Sequence, residues 1–148
     1  MRKSARSSKF FLGITLACFC LSGSSKVSKP LELFEAEILI YLTENGDFNR
    51  QQGRDIEWTR EPCRDVPEAD FYCFWVTGFP APPEGGSVTI GPYAVDRRSA
   101  TVWRLGGLKE PDKSREVVRV QELIRRAHNI EAELVLRREE ATRKALLE

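Results

Sequence analysis

The stretch YAVDRRSATVW, residues 93–103, constrains the fold more than any other part of this chain. Two strand-like runs, SVTIGPYAV and TVWRL, flank the polar link DRRSA. A connection of about five residues between such runs closes a β-hairpin, so the chain must contain antiparallel sheet. Asp96 can accept hydrogen bonds from the turning backbone, while Arg97 and Arg98 project into water. The spacing places Thr101, Trp103 and Leu105 on one face of the second strand and Val102 and Arg104 on the other. Gly91-Pro92 predicts a break or bulge in the first.

The remaining elements follow from periodicity. FYCFWV, residues 71–76, is an unbroken apolar and aromatic run, the composition of a central strand covered on both faces. A shorter strand is expected around Ile56 and Trp58, stopped by Pro62. TGFPAPPEGG, residues 77–86, reads as an exposed connection because of its prolines and glycines. Before the sheet, Leu31, Phe34, Ile38, Tyr41 and Leu42 recur at helical spacing as one apolar stripe, expected to dock the helix against the sheet. The helix is expected to begin near Pro30, to carry Glu32, Glu35 and Glu37 toward its positive end, and to stop at Asn45-Gly46. DFNRQQGRD, residues 47–55, then reads as loop. After the sheet, Asp112 and Ser114 are candidate caps for a second, longer helix with the stripe Val117, Val120, Ile124, Ala127, Ile130 and Leu134. Its end, residues 137–148, carries opposite charges four apart (Glu139 and Arg143, Glu140 and Lys144) and reads as a charged helical extension that projects or frays.

The start of the chain points to export. Arg2, Lys3, Arg6 and Lys9 precede the apolar run FFLGITLACFCL and the small residues SGSS, the three parts of a secretory signal peptide. The run is 12 residues long, short of the ~20 that span a bilayer. Residues 1–23 are therefore assigned as leader, residues 24–136 as a single α+β domain and residues 137–148 as the extension, with no membrane-spanning segment after cleavage. Cys18 follows Ala17 but has Thr15 in the aliphatic position, so it only half meets a lipid-attachment motif. The whole chain has 23 basic and 22 acidic residues; losing four basic ones leaves 19 against 22, a net of −3. Such a surface has no excess positive charge for phosphates, which excludes nucleic acid as the expected partner. Cys63 and Cys73 remain, an even pair that in an oxidising compartment reads as a disulfide.

An N-terminal helix, an aromatic strand ending FWV and the hairpin YAVDRRSATVW together resemble small exported bacterial proteins. Among these are PepSY-type domains and the cone-shaped immunity proteins of the nuclear-transport-factor superfamily. Tyr93, Val95, Asp96, Val102 and Trp103 carry the resemblance. Where those families have Thr-Gly in the turn this chain has Ser99-Ala100, and an alanine in the left-handed conformation of that glycine costs about 1 kcal/mol. The resemblance implies an envelope or immunity-type binding protein and brings no catalytic residue with it.

The residues themselves offer little chemistry. His128 is the single histidine; without a second imidazole or a free thiol beside it, it reads as a boundary residue of a packed helix and not as a metal or nucleophile site. No G-x-S-x-G elbow or calcium-loop spacing is present, and no cofactor or metal is expected. Asp65, Glu68 and Asp70 are the candidate carboxylates for a rival reading, a small cell-wall hydrolase. A third reading is a structural accessory that joins an envelope complex through residues 137–148. The expectation is an α+β protein with an antiparallel sheet of three to four strands, an N-terminal helix and a long C-terminal helix. It is expected to be non-catalytic, periplasmic or secreted, and to bind an envelope protein or an incoming toxin. Candidate contacts are Phe79 in the proline-rich connection and Trp103, Arg97 and Arg98 at the hairpin.

Overall fold

The structure, a computed structural model, describes residues 28–80 and 85–148. The expected leader with Cys18, and Ala81–Glu84 of the proline-rich stretch, lie outside the described residues. The hairpin at 93–103 is the middle of a five-stranded antiparallel sheet. Its strands are β1 (Arg54–Glu61), β2 (Phe71–Pro80), β3 (Val88–Asp96), β4 (Val102–Arg104) and β5 (Glu110–Pro111), each paired with the next in chain order. Helices α1 (Leu33–Tyr41) and α2 (Glu44–Gln51) precede the sheet; α3 (Arg115–Ala127) and α4 (Ala132–Leu147) follow it. The class is the expected α+β, with one more strand than the three to four expected, because Glu110–Pro111 pairs briefly with Arg104 and Trp103.

Period-two alternation divides the sheet into two faces. Tyr72, Phe74, Val76, Tyr93, Val95 and Val102 turn one way, into a core completed by Leu39, Ile40, Val117, Ile124 and Val135 of the helices. Phe71, Cys73, Ala94 and Trp103 turn the other way, beneath Val66 of the 62–70 loop and Leu146 of α4. The predicted facing of Val102 and Trp103 is correct. β2 is longer than FYCFWV and takes in the residues expected as connection: Thr77 pairs with Glu57 and Phe79 with Asp55. The predicted irregularity at Gly91-Pro92 is a register shift of β3 against Val76 and Thr77 of β2, with Gly91 at φ +131°.

The segment around Asn45-Gly46, expected to end a helix, begins one. Thr43 is the N-cap of α2, and its hydroxyl accepts a hydrogen bond from the Gly46 amide at 3.3 Å. Glu44 and Asp47 lie in the first turn and Arg50 in the last, which complements the helix dipole. Gly46 is there for space, since a Cβ would stand 3.1 Å from Ile56 Cδ1 and 3.2 Å from the Tyr41 carbonyl. The long C-terminal helix is also divided. Asn129 takes φ 55°, and the Ile130 amide reaches back to the Arg125 carbonyl at 2.8 Å. That left-handed stop, tolerated by asparagine, separates α3 from α4. Within α4, Thr142 and Leu146 are buried, and Glu139 turns to Arg125 (3.7 Å) and to the Thr101 hydroxyl (3.0 Å). The end of the chain packs on the body through these contacts.

Candidate protein-binding surface

The first helix is apolar on two sides. Its start is set by a capping box in which the Glu32 amide donates to the Glu35 carboxylate at 2.8 Å. From there Ala36, Leu39 and Ile40 face inward with no exposure. Of the expected stripe, Leu31 is buried in the core and Leu42 packs against it, but Phe34, Ile38 and Tyr41 run down the other side, 60%, 47% and 44% exposed. This corrects the sequence expectation that these residues face the core. A helix apolar all round gives periodicity no side to choose, and the side that packs here carries Ala36, Leu39 and Ile40.

Phe34, Ile38 and Tyr41 stand at i, i+4 and i+7, so they form one continuous row. With Leu42 and Trp58 of β1 they line an apolar groove of about 340 Å³, whose one charged lining residue is Glu37. Tyr41 is held in place: its ring meets Trp58 edge-on at 6.2 Å, and the Arg50 guanidinium lies 4.2 Å above it while donating to the Tyr41 carbonyl. Contiguous exposed apolar surface on a small domain marks an interaction site. A second groove, of about 500 Å³ between α3 and α4, includes Ile130, Val135 and Leu136, but its rim charges pair with one another as Arg125–Glu139 and Arg126–Glu122.

The residues singled out from sequence fall elsewhere and apart. Asp96 is wholly buried. Its Oδ1 accepts from the Arg98 amide (2.8 Å), the Ser99 amide (3.3 Å) and Arg138 Nη2 (3.1 Å), and its Oδ2 from Arg138 Nε (2.8 Å). Burial works against the charge of Arg138, but Asp96 and Asp70 outweigh it and raise its pKa. The charge cluster of the hairpin is therefore a turn, and also the clasp that holds α4. Arg97 lies 4.8 Å over the Tyr72 ring and donates to the Ala69 carbonyl, and Arg98 pairs with Asp70 at 3.2 Å. Ala100 takes the left-handed position at φ 60° that the Thr-Gly comparison identified. Trp103, expected at the surface, has no exposure because loop 62–70 and α4 cover it. Phe79 is half-buried at the other end of β2, where it pairs with Asp55. Eight residues of strand separate it from Phe71 beside the hairpin, roughly 26 Å, so one contact cannot use both sites as a single patch.

Two of the three candidate carboxylates are engaged in ion pairs. Asp65 pairs with Lys109 at 3.5 Å, and Asp70 lies between Arg98 and Arg138; Glu68 is exposed. Cys63 and Cys73 are bonded, with Cα atoms 5.3 Å apart. His128 caps α3 and ties it to α1, its Nδ1 3.1 Å from the Lys29 carbonyl and its Nε2 2.7 Å from Glu35 Oε1. Among the described residues no cluster of three or more His, Cys, Asp and Glu could hold a metal, and no helix is long and apolar enough to cross a membrane.

No protein-family model matches the chain, and no curated protein matches it in sequence. Its fold is similar to that of a chain in the structure of a type VI secretion system effector–immunity complex from Pseudomonas protegens. The TM-score is 0.54 at 16% identity, over 79% of this chain and 89% of that one. At that identity the likeness is one of fold.

Proposed function

We propose that this is an exported, non-catalytic protein of the immunity type, which acts by binding another protein and occluding it. The outer row of α1 carries the reading. A nine-residue helix that packs Ala36, Leu39 and Ile40 inward and still presents Phe34, Ile38 and Tyr41 is built to be covered on its second side. The fold likeness to a chain of an effector–immunity complex supports the same reading, as do the leader-like start and the disulfide, which suit an oxidising compartment. The proposed partner is a protein, an incoming toxin ahead of an envelope component, because the groove is apolar and aromatic and has no constellation of reacting groups.

Each of the three side chains would contribute about 1.5–3 kcal/mol on full burial. Ile38→Asp, at an exposed position, should leave the fold intact and weaken the complex at least ~30-fold. The test is contact competition: cells lacking this protein should be killed by otherwise identical neighbours, and rescued by the wild-type chain but not by Ile38→Asp. Survival of the deletion strain in contact with its parent removes the immunity reading. Rescue by Ile38→Asp removes α1 as the surface.

A further inference from the structure

The face of the sheet turned away from α1 and α2 is covered only in part. Loop 62–70 and the end of α4 cover Phe71, Ala94 and Trp103, but β1 and the far half of β2 are left open. Along β1 the exposed positions on that face are Asp55, Glu57, Thr59 and Glu61. Same-face side chains on a strand stand about 6.6 Å apart, so Asp55, Glu57 and Glu61 make an ordered row of carboxylates. None of the three pairs with a cation among the described residues. Their cross-strand neighbours are uncharged: Phe79 opposite Asp55, Thr77 opposite Glu57 and Cys73 opposite Glu61, with Trp75, 38% exposed, opposite the intervening Thr59. A groove of about 310 Å³ runs from Glu61 past Trp75 to Pro92, with Arg64 at its loop end.

Within β1 the charge is divided by face: Asp55, Glu57 and Glu61 lie on the open face, and Arg54 and Arg60 on the face turned to α1 and α2. We propose that the open face of β1 and β2 receives a cationic segment of the partner protein, with arginine or lysine side chains on the Asp55, Glu57 and Glu61 row and one of them stacked on Trp75. The inference rests on the protein-binding reading and adds the chemistry of the partner. Carboxylates accept the guanidinium fork, and an exposed indole binds the same group through its ring face. The row would repel an anionic membrane or nucleic acid, and equally the same face of a second copy of this chain.

A ten-residue peptide alternating arginine and threonine matches the period of the row and serves as the probe, with the glutamate–threonine peptide as control. Titrated into the ¹⁵N-labelled protein purified after export, the arginine peptide should shift the amides of residues 55–61 and the Trp75 indole. Added salt should weaken the binding. The triple variant Asp55→Asn, Glu57→Gln, Glu61→Gln should bind about tenfold more weakly with an unchanged thermal midpoint, since exposed ion pairs are individually weak and add up only as a row. The inference is overturned by no shifts at millimolar peptide, by shifts centred on another face, by equal binding of the glutamate peptide, or by an undiminished affinity of the triple variant. A protein that engages its partner through α1 yet ignores the arginine peptide defeats this inference alone. One that binds the peptide on β1 but protects no cell defeats only the immunity reading.

Discussion

Replacing Asp96 by alanine should be among the most damaging single changes outside the apolar core. The carboxylate is wholly buried and accepts four hydrogen bonds, two from the turn and two from Arg138, whose side chain is 21% exposed. Removing one partner of a buried pair costs about 3–5 kcal/mol, because the other charge is left uncompensated. Arg138 keeps Asp70 at 3.5 Å and some water, which moves that figure toward its lower end. The Ser99 amide, left without its acceptor in a buried turn, adds about 1 kcal/mol or more. The expected loss is about 4 kcal/mol, a large share of the 5–15 kcal/mol typical of a domain. Urea unfolding of wild type, Asp96→Ala, Arg138→Met and the double variant measures it. The double variant should be much less unstable than the sum of the singles, since neither charge is then stranded. Native-state hydrogen exchange should show the amides of residues 138–146 losing protection first. A loss below about 1 kcal/mol, or singles that simply add, would refute the view that the hairpin turn clasps α4.

Two further changes probe other parts of the frame. Replacing Cys63 and Cys73 together by serine should cost about 2–3 kcal/mol and free loop 62–70, exposing Trp103 to a collisional quencher of its fluorescence; an unquenched indole would show that the loop holds without the bond. Burial raises the Tyr93 phenol above 10.0, against the hydrogen bond from Asn45. A raised folded pKa favours the native state fully below 10.0, and the contribution is lost as pH climbs through the folded value. The stability gap between wild type and Tyr93→Phe should therefore narrow above about pH 10, and a gap constant with pH would contradict it.

What the sequence made legible was local. Strand alternation assigned Val102 and Trp103 to opposite faces, and the even pair left after the expected leader, Cys63 and Cys73, predicted their bond. The turn chemistry of Asp96 was also visible, but its second role was not. Arg138 lies 42 residues away, and no local pattern couples a hairpin aspartate to a helix that distant. The same long-range packing hides Trp103, which an aromatic count places at a surface. Two signals were available and misread. Thr43 with Glu44 and Asp47 behind it is a helix start, outweighed by the turn preference of Asn45-Gly46. Asn129 tolerates the left-handed conformation that ends α3. The exposed row of α1 is the deeper failure: Phe34, Ile38 and Tyr41 obey the rule for a buried stripe, and only the packed side of Ala36, Leu39 and Ile40 shows that the row faces outward. Buried and partner-seeking faces share one periodicity.

The account turns on that row. The most direct measurement is co-purification of the protein from cells that also make the proposed partner toxin, comparing wild type with Ile38→Asp and with Arg97→Ala/Arg98→Ala. The account predicts one stoichiometric protein partner with wild type and with the hairpin variant, and its loss with Ile38→Asp while the circular dichroism spectrum stays unchanged. A partner retained by Ile38→Asp but lost with the hairpin variant would contradict it and return the binding site to the turn at Asp96.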